Sequence, residues 1–270
     1  MYKLIAIDLD GTLLTDDLTV SPGTIKAIQQ AVEMGTVVTI ATGRMFSSAK
    51  QVAEQLGINV PLITYQGALI MDTDENEVIF ERLISSDIAK KIVEISTEQN
   101  LHLQVYQDDI LYGAVENDKL IDYAAGVKVP YTVEPDLFKL VETGFTKALI
   151  IEKPETIDVL QEELKSLFGN RAHIAKSKPH FLEITHPEAN KGLALLHLAE
   201  TLGIKQSEII GIGDNHNDRE LIETAGLGVA MENAVQEMKD IADYVSLSNN
   251  EEGVKHVIEK FVLAPDVSLV

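Results

Sequence analysis

The chain has 270 residues, 45% of them hydrophobic and 24% charged, enough for one large domain or two ordinary ones with real cores. Acidic residues number 43 against 22 basic ones, and the net charge of −21 argues against nucleic acid or an anionic membrane as a general partner. Cysteine is absent, which excludes disulfides, thiol nucleophiles and thiolate metal sites and suits a cytoplasmic location. No apolar run approaches the roughly 18 residues of a membrane span, and the start lacks the apolar stretch of a signal peptide.

In chain order, Lys3 to Leu9 is a short, nearly continuous apolar run, the pattern of a strand buried on both faces of a parallel sheet. Ser21-Pro22 predicts a capped helix start, Ile25, Ile28 and Val32 recur at helical spacing, and Gly35 closes the element. Thr36 to Ala41 predicts a second buried strand, about Ser47 to Leu56 a helix, and Pro61 to Tyr65 a third strand. Three such units predict an α/β fold with right-handed crossovers. A hairpin follows, Ala68 to Asp72 with Glu77 to Arg82. From about Ser85 to His186 the pattern reads helix, hairpin, short helix, helix, strand, helix and two strands, an α+β texture. The opening rhythm returns at Asn190, which caps a helix through Thr201. Ile209–Ile212 then reads as a strand, helix and strand signals run to about Tyr244, and Ala264 onward reads as a tail. The simplest account is an α/β protein with a Rossmann-like parallel-sheet core, residues 1–82 plus 188–270, and an inserted α+β cap at 83–187.

Asp8-Leu9-Asp10-Gly11-Thr12 stands at the carboxyl end of the first strand, where ligands bind in open α/β sheets. Residues i and i+2 of a strand share a side, so both carboxylates are expected to face one small volume. Asp214-Asn215-His216-Asn217-Asp218 follows the strand Ile209–Ile212 at the same kind of edge. If Asp8, Asp10, Asp214 and Asp218 converge, like charges about 6 Å apart repel by roughly 3 kcal/mol per pair at an effective dielectric near 20. Convergence therefore predicts a cation, and an all-oxygen ligand set favours Mg²⁺. Thr42-Gly43-Arg44, after the second strand, offers a hydroxyl and backbone N–H groups to a phosphate, and Lys191 stands in the first turn of the helix capped by Asn190, where anions are favoured.

These strings, with Asn190-Lys191-Gly192-Leu193-Ala194-Leu195, resemble in order and spacing the haloacid dehalogenase superfamily, and more narrowly its Cof-type (class IIB) sugar-phosphatase branch. The resemblance implies a phosphoric monoester hydrolase acting on small phosphorylated metabolites, sugar phosphates foremost. Asp8 would attack phosphorus to form an aspartyl-phosphate, and Asp10 would act as acid and then base. Mg²⁺ would bind Asp8, Asp214 and the Asp10 backbone carbonyl, with Asp218 orienting that set. Leu9 N–H, Thr42, Gly43, Lys191 and Asn217 would hold the phosphate. Arg44, Gln66 and Gly67 fall on the substrate side, and Gln66 stands where the family usually has asparagine. The cap would set specificity, and no protein partner is evident. The same scaffold also serves phosphomutases and phosphotransferases, and a phospho-acceptor or metabolite sensor without turnover is the reading from a different class. His173, His180, His186 and His197 are read as structural, and His216 as lining the entrance at best.

Overall fold

The computed structural model describes residues 2–264, so that all of the expected tail beyond Ala264 lies outside the described residues. Two compact units emerge among the described residues, one formed by residues up to 80 together with those from 190 on, the other by residues 81–189. Among the described residues no helix is long and apolar enough to cross a membrane.

The first unit begins with β1 (Leu4–Ile7), α1 (Pro22–Glu33), β2 (Val37–Ile40), α2 (Phe46–Leu56), β3 (Leu62–Thr64), β4 (Leu69–Met71) and β5 (Val78–Glu81). Every residue of β1 is buried, as its unbroken apolar run requires. Ser21 caps α1 by accepting the Thr24 N–H at 3.0 Å, with Pro22 supplying a pre-set first turn. α2 ends on Gly57 in the left-handed conformation.

The second unit holds α3 (Ser86–Glu98), β6 (His102–Gln107), β7 (Ile110–Gly113), α4 (Asp118–Val127), β8 (Tyr131–Val133), β9 (Lys147–Ile151), α5 (Pro154–Phe168), β10 (His173–Lys178) and β11 (Phe181–Thr185). Its sheet runs β10-β11-β9-β6-β7-β8, antiparallel except for the β7–β8 pair. Strand alternation sends Leu103, Val105, Ala148, Ile150, Leu182 and Ile184 into one core with Ile92 of α3 and Leu160 of α5. Two local expectations differ. The helix expected ahead of β9 is a single 3₁₀ turn, Leu137–Leu140, and β8 was not expected at all. A three-residue strand carries too little periodicity to be seen, and β8 exists because β7 offers it a free edge.

The chain then returns to the first unit through α6 (Lys191–Thr201), β12 (Ile209–Gly213), α7 (Arg219–Thr224), β13 (Leu227–Ala230), α8 (Gln236–Ile241), β14 (Tyr244–Val245) and α9 (Gly253–Ile258). The all-parallel sheet has the order β14-β13-β12-β1-β2, so that β1 lies between strands from opposite ends of the chain. α6 packs Ala194, Leu195 and Leu198 against Leu4 of β1 and Ile209 of β12. That packing carries its first turn, and Lys191 with it, toward the chain segment that follows β1.

Candidate active site

β1 ends at Ile7, and Asp8 is the next residue, 4% exposed, its N–H donating to the Ile212 carbonyl at 3.0 Å. The chain then turns sharply. Leu13 and Leu14 N–H groups bond back to the carbonyls of Asp8 and Leu9, and Gly11 takes a φ of +83°, which glycine adopts without strain. A Cβ on Gly11 would stand 2.5 Å from Asp214 Oδ2, so glycine is also needed for space.

Lys191 is fully buried, and its Nζ donates at 2.5 Å to Asp8 Oδ1 and at 2.5 Å to Asp218 Oδ1. Asp218 Oδ2 accepts the N–H groups of Asp214 at 2.9 Å and Asn215 at 3.1 Å, so this carboxylate folds its own loop around the lysine. Thr12 Oγ1 donates to Asp214 Oδ1 at 2.9 Å. Asp8, Asp214 and Asp218 each offer an oxygen within 4.8 Å of the others, the one group of potential metal-binding side chains of its size among the described residues.

Three carboxylates against one ammonium leave a formal charge of −2 when all are ionised. Burial pushes the Asp8 carboxyl well above the usual range, the Asp218 charge adds to it, and the charge and hydrogen bond of Lys191 work the other way without cancelling the rise. Asp214 is lifted to about 6, chiefly by burial and then by Asp218. Burial works against the charge of Lys191, but Asp218 and Asp8 outweigh it and hold the ammonium above its ordinary pKa. The lysine stays charged and the acidic set remains under-compensated.

Asp10 does not join this set with its side chain. Its carboxylate is 54% exposed and is gripped by Arg44, Nε to Oδ2 at 2.9 Å and Nη2 to Oδ1 at 2.5 Å. The expectation that Asp8 and Asp10 share one volume extrapolated strand alternation past Ile7, where the chain has already left the strand. The clustered carboxylates are therefore three rather than four.

The other expected positions are distributed as follows. Leu9 is buried within the turn. Thr42 is buried, its hydroxyl accepting the Arg44 N–H at 3.2 Å. Tyr65 and Gln66 both adopt left-handed backbone, φ +52° and +60°, followed by Gly67 at +92°. Two consecutive non-glycine residues in that region are costly and persist only where the surrounding structure holds them. The turn is held to the preceding loop by Tyr65 N–H to Arg44 O and Gln66 N–H to Thr42 O, both at 3.0 Å. Its Gln66 Oε1 accepts from Asn217 Nδ2 at 3.1 Å, while Gln66 Nε2 lies so close over Gly43 that a Cβ there would collide with it. A Cβ on Gly67 would strike the Asn190 carbonyl, which fixes the turn beside the start of α6. His216 is exposed and pairs with Glu237 at 3.2 Å, and His197 lies against the Phe80 ring with centroids 4.6 Å apart. The contact of Thr12 is not visible in the sequence, since its partner Asp214 is 202 positions away.

The sequence pattern of the haloacid dehalogenase-like hydrolases matches residues 5–258. The chain belongs to that family. Its curated relatives include proteins named as phosphatases, matched along nearly their whole length, and the chain is a phosphatase. A haloacid dehalogenase-like hydrolase of this kind has curated relatives that include 5-amino-6-(5-phospho-D-ribitylamino)uracil phosphatase YitU of Bacillus subtilis, 32% identical over 96% of this chain and 97% of the relative. HMP-PP phosphatase of Serratia proteamaculans is 31% identical over 98% of this chain and 97% of its own length. Among solved structures, TM0651 from Thermotoga maritima superposes with a TM-score of 0.89 at 39% identity, covering 96% of this chain and 97% of that one.

Proposed function

We propose that this haloacid dehalogenase-like phosphatase hydrolyses small phosphorylated metabolites, sugar phosphates among them, through an aspartyl-phosphate on Asp8 with Mg²⁺ as cofactor. The observation that carries the reading is the buried Lys191, held between Asp8 and Asp218 with Asp214 alongside. A carboxylate set that carries a formal −2 when ionised beside a fixed lysine suits a divalent cation, and oxygen donors alone suit a hard one. Asp8, Asp214 and the Asp10 carbonyl would hold it, while both oxygens of Asp218 are already engaged by Lys191 and its own loop. Bound there, Mg²⁺ would neutralise charge on the phosphoryl group being transferred.

A carboxylate oxygen of Asp8 attacks phosphorus as the bond to the leaving oxygen breaks. Asp10 gives its proton to the departing alkoxide, then takes one from the water that cleaves the aspartyl-phosphate. Arg44 occupies both Asp10 oxygens, so Asp10 must leave Arg44 before it faces a leaving group, which frees the guanidinium for an anionic substrate. Lys191 offsets repulsion between Asp8 and the incoming dianion. Leu9 N–H, Thr42, Gly43 and Asn217 complete the phosphate cradle, and Gln66, bonded to Asn217, sets its outer edge. YitU and HMP-PP phosphatase are named for different substrates, which points to a shared phosphate-handling core with separately chosen leaving groups.

A panel of phosphorylated metabolites, assayed for released phosphate with and without chelator, tests the reading. Metal-dependent turnover of one or more sugar phosphates is expected, and turnover untouched by chelator would overturn the cofactor assignment. A second expectation concerns pH. With Asp214 lifted from 3.8 to about 6, the stability tied to its proton is present below about 4 and is lost as pH rises through about 6. A cation takes the proton's place only once that proton has gone. Thermal stabilisation by Mg²⁺ is therefore expected to be small at pH 5 and to grow to a plateau above about pH 7. Equal stabilisation at pH 5 and pH 8 would contradict it.

A further inference from the structure

The two acidic loops are separated by some two hundred residues, yet one short segment grips them both. Met231 N–H donates to the Gly213 carbonyl at 3.1 Å, and Val235 N–H donates to the Asp214 carbonyl at 3.0 Å. Between them, Asn233 Nδ2 donates to the Gly11 carbonyl at 2.7 Å across 222 positions of sequence. Asn233 Oδ1 accepts the Asn249 N–H at 3.0 Å, and Asn249 Nδ2 donates to the Leu14 carbonyl at 3.0 Å. Both ends of the Asn233 amide are thus engaged, which fixes its rotamer although the residue itself is exposed.

The held group matters because of where Gly11 lies. It directly follows Asp10, its Cα abuts the Asp214 carboxylate, and the adjoining Thr12 hydroxyl bonds Asp214 Oδ1. The Leu13 and Leu14 N–H groups close the turn onto the Asp8 and Leu9 carbonyls, while Gly11 at its apex, φ +83°, lies in a region where glycine moves freely. A hydrogen bond on the Gly11 carbonyl anchors the Gly11–Thr12 peptide plane, and so narrows the range open to the adjoining plane that carries the Asp10 carbonyl.

We infer that Asn233 is a positioning residue for the divalent cation: it locks the Asp10–Thr12 turn against Asp214 so that the Asp10 carbonyl and the Asp8 and Asp214 carboxylates stay in register. The inference rests on the cation site proposed above. Groups that orient metal ligands without touching the metal typically change affinity about 10- to 100-fold when removed. Because Asn233 is exposed, its truncation opens no cavity, and the variants are expected to fold.

The test uses the full chain and Mn²⁺ as probe, with free Mn²⁺ read by electron paramagnetic resonance in the parent and in Asn233→Ala, Asn233→Ser and Asp214→Asn. Neither alanine nor serine reaches the Gly11 carbonyl. The expected result is one Mn²⁺ site in the parent that needs Asp214, with dissociation constants about 10-fold higher in both Asn233 variants. Melting temperatures should change little, and kcat should recover at saturating metal with KM for substrate nearly unchanged. Parent-like Mn²⁺ affinity in either folded Asn233 variant overturns the inference and leaves the cation site standing. A parent that binds no Mn²⁺, or binds it equally after Asp214→Asn, overturns the cation site itself.

Discussion

Asp8→Asn is expected to lower kcat for phosphate release from p-nitrophenyl phosphate by roughly 10⁴-fold or more, the scale seen when a nucleophile is removed from a working constellation. An amide does not attack phosphorus as a carboxylate does, and the two carboxylates clustered with Asp8 are otherwise engaged: Asp218 has both oxygens committed, and Asp214 accepts from Thr12 and is assigned to the cation. The same substitution is not expected to harm the fold. Asparagine keeps an oxygen for Lys191 and removes a negative charge that burial and Asp218 disfavour, so the melting temperature without metal should hold or rise. Loss of activity with retained stability would mark a chemical role. Undiminished turnover would end the assignment of Asp8.

Lys191→Met is expected to produce the largest loss of stability of any single change at the site. The lysine side chain is wholly buried, and removing one member of such a buried ion set leaves the remaining charges uncompensated, a cost of about 3–5 kcal/mol. Here two carboxylates, Asp8 and Asp218, lose their partner together. Urea unfolding at pH 7.5 in the presence of chelator should read the deficit. It should shrink as the solution is acidified, because protons then neutralise the carboxylates that Lys191 no longer offsets. A methionine variant as stable as the parent would mean that Lys191 does not hold the acidic cluster together.

Much of this was legible in the chain. The apolar runs at β1, β2 and β12 admit little but strands of a parallel sheet, because only burial on both faces tolerates them. Ser21 and Asn190 announce their helices, since a side-chain oxygen satisfies an N–H that would otherwise lack a partner. The acidic strings after β1 and β12 locate a site because side chains at that sheet edge gather around one crevice. These are local signals, carried by residues close together in sequence.

What tertiary structure alone decided is the partnership of each charge. Asp8 and Asp10 stand two residues apart, yet one is buried on Lys191 and the other is exposed on Arg44, because the strand ends between Ile7 and the turn at Gly11. The sequence places Lys191 at an anion-favouring helix start, but its complete burial follows only once α6 packs on β1 and β12. Thr12 on Asp214 and Asn233 on Gly11 join positions more than two hundred residues apart. No periodicity encodes such pairs, since they exist only once the first and last thirds of the chain have formed a single sheet.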